Sequence, residues 1–118
     1  MISPNAFFRS LGYALEGLRE VARREQSFRL QLLAAVVVAV AVSFLHLAAW
    51  QNILLILMVS AVLVLEVINS IFERIADALK PRLSPVVKEV KDMMAGAVLI
   101  ASLTAVLVAA MIFWPLIF

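Results

Sequence analysis

Cysteine is absent from the 118 residues, which removes disulfides, thiolate nucleophiles and cysteine-based zinc sites together. Glycine is scarce, with three in all, and no G-x-x-x-x-G-K run occurs, so a P-loop is excluded and any nucleotide must be held another way. Charge is missing from two long stretches: no Asp, Glu, Lys or Arg occurs in residues 30–65 or 93–118. Apolar side chains fill that space. Hydrophobic residues make up 65% of the chain, against roughly 45–50% in soluble domains, more than a globule of one-domain length can hide from water. Lipid is therefore the second solvent. The sequence pI of about 9.5 rests on 10 basic against 8 acidic residues, an excess too small to point to nucleic acid, which is not expected as a partner.

The segregated charges draw a topology. Residues 30–49 and 93–114 are each about 20 residues long, roughly 30 Å as helix, which matches a hydrocarbon core. Residues 53–65 reach only roughly 20 Å, so that crossing must continue into a polar stretch. The sequence predicts one all-α integral membrane domain. Its parts are a surface helix at 1–28, spans at 29–49, 51–79 and 85–116, and a tight cytoplasmic turn after Lys80-Pro81. The positive-inside rule puts Arg9, Arg19, Arg23, Arg24, Arg29, Lys80, Arg82, Lys88 and Lys91 in the cytoplasm, with Trp50 and Trp114 as an aromatic belt on the far side. The expected location is the inner or cytoplasmic membrane. Ser3 can cap the first helix with Pro4 at its first position, and Phe7, Phe8, Leu11, Leu15, Leu18 and Ala22 recur at helical spacing, as in a helix lying in the interface. Ser84 is the expected N-cap of the last helix, ahead of Pro85, and His46 is an interfacial polar residue.

Chemistry concentrates on the middle span. Glu66, Asn69, Ser70, Glu73 and Asp77 fall within a wedge of about 100° on one helix face. If the span takes about 20 residues from Ile53, Glu66 and Asn69 fall inside or at the inner edge of the hydrocarbon, where a carboxylate costs several kcal/mol unless compensated and is a functional candidate by default. Glu73 and Asp77 are like charges at i,i+4, and Arg74 is about 100° away around the helix, a poor sole neutraliser. A hard cation with oxygen ligands, Mg²⁺ above all, suits such carboxylates. Lys88, Lys91 and Asp92 open the last helix at the depth of Glu73 if the two helices are antiparallel. Together these groups suggest phosphate chemistry at the membrane surface: lysine for phosphate oxygens, carboxylates for metal, and a deeper carboxylate for a hydroxyl proton.

The run Glu66-Val-Ile-Asn69-Ser70-Ile-Phe-Glu73-Arg-Ile-Ala-Asp77 closely resembles the E-x-hydrophobic-N-[ST]-x-x-E-x-x-x-D signature of the small prokaryotic diacylglycerol kinase and undecaprenol kinase family. Lys91-Asp92 followed by Ala95-Gly96-Ala97-Val98 resembles that family's second block, and Gly12-Tyr13, Gly17-x-Arg19 and Glu25-x-x-Phe28-Arg29 fit its amphipathic start. The resemblance implies a homotrimeric lipid kinase with active sites between subunits at the cytoplasmic face, using ATP and divalent metal without a P-loop. It implies Glu66 as the base that takes the lipid hydroxyl proton, Asn69 positioning the reacting groups, and Glu25 and Glu73 holding Mg²⁺ on the ATP phosphates. Lys91 would contact the transferring phosphate, Asp92 would orient that lysine or the nucleotide, and Tyr13 would flank the adenine. Arg9 and Asp77 join the nucleotide site, Arg19 is a further candidate, and Arg29 and Ser70 stand with Glu66 at the lipid substrate. Ala6 takes the place of another phosphate-binding arginine found in one branch, which leaves Arg9 alone there.

The expected function is transfer of the ATP γ-phosphate to the hydroxyl of a membrane lipid alcohol, undecaprenol or diacylglycerol. The run at residues 95–98 is a shade closer to the undecaprenol kinases. A small oligomeric transporter using Glu66 as a proton or cation site is the alternative, and charges confined to one side argue against it. A non-catalytic assembly subunit would need no acids aligned with Lys91. Small residues Ala95, Gly96, Ala97, Ala101, Ser102 and Ala105 would let helices of a trimer approach closely.

Overall fold

The computed structural model describes residues 3–79 and 84–118. These form helices α1 (Pro4–Arg24), α2 (Gln26–Phe44), α3 (Ala49–Leu79) and α4 (Ser84–Ile117). Three of them, α2, α3 and α4, are long and apolar enough to cross a membrane, so this is an all-α membrane protein as its composition requires.

Helix α1 starts where the sequence says it should. The Ser3 hydroxyl accepts from Ala6 N–H at 3.1 Å, satisfying one free amide of the first turn, and Pro4 opens the helix at no cost in hydrogen bonds. Its apolar stripe has almost no partner among the described residues: Phe7, Phe8, Leu11, Leu15 and Leu18 are all exposed and only Val21 is buried.

The expected surface helix over residues 1–28 is interrupted at Glu25. Extended angles there, φ −106° and ψ 111°, end α1 at Arg24 and let α2 begin at Gln26. Arg29 holds the break, its guanidinium donating to the carbonyls of Ala22 and Arg23, each at 2.9 Å. A cation on the open carbonyls of a last helical turn is favourable on both hydrogen-bond and dipole grounds. Composition alone does not reveal the break, because nothing around Glu25 is a glycine or proline.

Residues 45–48 connect α2 to α3. The Gln51 side chain reaches back to accept from Ala48 N–H at 3.0 Å, half of a capping box, so α3 begins at Ala49, slightly ahead of the expected residue 51. It ends at Leu79 as expected; the Lys80-Pro81 stop, Arg82 and the turn lie outside the described residues. Helix α4 begins at Ser84 itself, a residue before the expected start and within the usual ambiguity of helix ends.

With 31 and 34 residues, α3 and α4 are about 46 and 51 Å long, well beyond a hydrocarbon core of roughly 30 Å. The excess is where the charges sit. Helix α3 is the centre of the molecule: α4 packs along it most extensively, α2 and α1 also contact it, and α2 and α4 do not pack on one another. Its inward face carries Leu55, Val62, Glu66, Ser70 and Ala76, while most other apolar side chains of the chain face outward. In lipid that exposure costs little, because acyl chains are as apolar as leucine.

Candidate active site

The polar stripe of α3 and the break between α1 and α2 meet. Glu66 is 6% exposed and Ser70 is 1% exposed, the two buried polar side chains among the described residues. The Ser70 hydroxyl donates to Glu25 Oε1 at 3.4 Å, a long bond that ties α3 to the helix break. The extended backbone at Glu25 thus does more than end a helix, since it turns a carboxylate toward the acids of α3. The Glu25 carboxylate repels those of both Glu66 and Glu73. Asn69 donates its amide to Glu73 Oε1 at 3.3 Å, one turn along.

On the other side, Lys91 of α4 reaches Asp77 Oδ1 at 3.2 Å, which confirms that α4 runs antiparallel to α3 with its basic start beside the acidic stripe. Asp77 therefore has a cation, and the i,i+4 repulsion with Glu73 is relieved from α4. Glu25, Glu66 and Glu73 have no salt-bridge partner among the described residues. Three acids share one corner while Lys91 is engaged by a fourth, Asp77.

Other expected residues make different contacts within the chain. Asp92 bonds Lys88 at 2.8 Å on its own helix and does not engage Lys91. Arg29 is occupied with the carbonyls that close α1. Arg9 is exposed on α1, and Tyr13 is 65% exposed, with no hydrogen bond among the described residues. No group of three or more His, Asp or Glu side chains is arranged to hold a metal ion among the described residues. Glu25 and Glu73 offer a pair of carboxylates to a cation, not a complete cage.

Sequence reasoning passed over one cluster. Glu20 accepts from Arg23 at 2.7 Å and Arg24 at 2.8 Å, and Arg74 of α3 stands 3.7 Å from the same oxygen. The Arg23 hydrogen bond, with Arg24 behind it, holds the Glu20 carboxyl down to about 2 from its ordinary 4.5. The i,i+3 and i,i+4 spacing to Arg23 and Arg24 is a readable signal; the approach of Arg74 needs the fold.

A family model described as prokaryotic diacylglycerol kinase matches residues 12–113. Among curated proteins, the chain is 29% identical over 111 residues to an undecaprenol kinase of Bacillus subtilis, covering 94% of this chain and 90% of the relative. It is 31% identical over 106 residues to a diacylglycerol kinase of Escherichia coli, covering 90% and 87%. A diacylglycerol kinase of Synechocystis is 32% identical over 115 residues, covering 97% of this chain and 65% of the relative.

Proposed function

This chain belongs to the prokaryotic diacylglycerol kinase family and is a lipid kinase, and from that premise we propose that it moves the γ-phosphate of ATP to the hydroxyl of a membrane lipid alcohol, with Glu66 as general base. The observation that carries this reading is a buried carboxylate at the inner end of the membrane-crossing stretch of α3, beside two further carboxylates with no salt-bridge partner among the described residues. A buried carboxylate in low dielectric is a stronger proton acceptor than one in water. The lipid hydroxyl oxygen attacks the γ-phosphorus, the bond to the β–γ bridging oxygen breaks, ADP leaves, and Glu66 takes the hydroxyl proton. Asn69 steadies Glu73, and Ser70 steadies Glu25 through their hydrogen bonds. Lys91 leaves Asp77 to meet phosphate oxygens.

The donor chemistry of Glu25 and Glu73 suits a hard divalent ion such as Mg²⁺, which takes one or two carboxylates and completes its shell with phosphates and water. When bound, that ion supplies charge neutralisation on the phosphates. Glu25, at the break between α1 and α2, and Glu73, on α3, would hold it.

Arg9 and Tyr13 lie apart from these acids in one protomer, and the outward faces of α2 and α4 are apolar. A homotrimer with sites between protomers would bring nucleotide-binding residues of one chain to the carboxylates of the next, at the cytoplasmic face. Undecaprenol and diacylglycerol both present a single hydroxyl above a wholly apolar body, as the site requires. The deciding experiment supplies each lipid separately with γ-labelled ATP and purified protein in mixed micelles. Label in undecaprenyl phosphate, in phosphatidic acid, or in both assigns the acceptor, and label in neither refutes the reading.

A further inference from the structure

Little apolar packing holds α1 against α3. Only Val21 of α1 is buried, and a cavity of about 350 Å³ opens between the two helices, with Leu18 and Val21 on one wall and Val67 and Ile71 on the other. Among the described residues, two polar contacts bridge that gap: Ser70 donates to Glu25 at 3.4 Å, and Arg74 stands 3.7 Å from Glu20. Arg74 follows Ser70 by one helical turn and Glu20 precedes Glu25 by five residues, so the two pairs lie in register, roughly 6–8 Å apart, along antiparallel segments. One such contact leaves a helix free to pivot about it; two fix its swing.

Charge loads these contacts. The Glu25 carboxylate repels those of Glu66 and Glu73, which pushes the end of α1 away from α3, and a hydrogen bond as long as that from Ser70 is a weak restraint against the push. Arg74 pulls the other way. Its target is already oriented, because Arg23 donates to both oxygens of Glu20 and Arg24 to one of them, and a carboxyl held down to about 2 stays ionised near neutral pH. Those two arginines lie on α1 itself and do not tie it to α3. Among the described residues, Arg74 is the cation that crosses the gap.

We infer that Arg74 is a positioning residue for the acidic corner: through its ion pair with Glu20 it holds α1 toward α3 and so keeps the Glu25 carboxylate facing Glu66 and Glu73. The inference rests on the proposed role of Glu25 as a ligand of the divalent ion on ATP. Arg74 acts through Glu20 and not on phosphate.

Two measurements on the full-length protein in mixed micelles test it. Amide exchange without nucleotide or metal reads the tether itself: Arg74→Gln should speed exchange at residues 20–25 about threefold, the worth of an exposed ion pair, and Arg74→Lys, which keeps the charge, should not. Steady-state kinetics with ATP, Mg²⁺ and whichever of undecaprenol or diacylglycerol takes label reads the consequence. Arg74→Gln should raise the Mg²⁺-ATP concentration for half-maximal rate about threefold with kcat little changed, and Arg74→Glu, which turns attraction into repulsion, should raise it further. In a Glu20→Gln background, Arg74→Gln should add nothing, since both changes break the same link; circular dichroism confirms that each variant is folded. Wild-type exchange in Arg74→Gln, or a loss in Arg74→Lys as large as in Arg74→Gln, overturns the inference. So do additive effects in the double variant, which place Arg74 on phosphate directly. A shift in Glu25→Gln with none in Arg74→Gln sinks the inference alone, whereas an unchanged Mg²⁺-ATP dependence in Glu25→Gln sinks the ligand reading and the inference with it.

Discussion

The N-terminal and C-terminal halves of α3 turn the same face toward the rest of the protein, yet that face does different work in each. In the N-terminal half it buries Leu55 and Val62; in the C-terminal half it buries Glu66 and Ser70. The residues are spaced by seven, four and four, so a single helical stripe runs the whole length. What changes is the price of leaving the stripe uncovered. An apolar side chain facing lipid loses little, because there is almost no hydrophobic drive between helices in hydrocarbon. A carboxylate facing lipid costs several kcal/mol, and on this half of the helix the polar side chains are met by Glu25 from the α1–α2 break, which accepts from Ser70, and by Lys91 of α4, which donates to Asp77.

The contrast is broken most sharply at Glu66. Glu66→Gln keeps the size and removes the proton acceptor; phosphoryl transfer should fall by about 10²–10⁴-fold, the usual worth of a general base, with ATP binding nearly intact. Full turnover in that variant would remove the base assignment. Glu73→Gln and Glu25→Gln should act differently, raising the Mg²⁺-ATP concentration needed for half-maximal rate by about tenfold, the cost of losing one charged ligand; steady-state kinetics at varied Mg²⁺ separates the two patterns. Leu55→Ala, in the N-terminal half, should cost about 2 kcal/mol of stability by leaving a cavity and should leave the turnover of folded protein unchanged, as read by detergent unfolding beside an activity assay. Arg29→Gln should loosen the last turn of α1 by about 1–2 kcal/mol, visible as faster amide exchange at residues 22–25. The smallest effect belongs to Gln51→Ala, which removes a side-chain cap worth about 0.5–1 kcal/mol at the far end of α3 and should not touch the chemistry.

Some of this was readable before folding and some was not. The stripe from Glu66 to Asp77 follows from helical spacing, and the Ser3 cap follows from a residue type that accepts an N-terminal amide. The pairing of Lys91 with Asp77 was legible as a basic start to α4 opposite an acidic end of α3, but which acid it would choose was not. The family resemblance implies that Asp92 orients Lys91 or the nucleotide; within the chain it accepts from Lys88 at i−4 on its own helix, a pairing that helical spacing alone makes readable. Arg29 stands at the lipid substrate only by the family resemblance; that it also bonds the carbonyls of Ala22 and Arg23 depends on the break at Glu25, which no local signal gives.

The sequence by itself determined that this is a helical membrane protein with its acids gathered at one end. Hydropathy, charge spacing and helical period are local quantities, summed along the chain without knowing where it goes. Tertiary structure alone decided that Glu25 would meet Ser70 across 45 positions, that Arg74 would stand over Glu20, and that a cavity would open between them. Those contacts depend on the angle at which α1 leaves α2 and on the rotation of α3 against both. Such angles are set by packing between faces, and no single residue carries them.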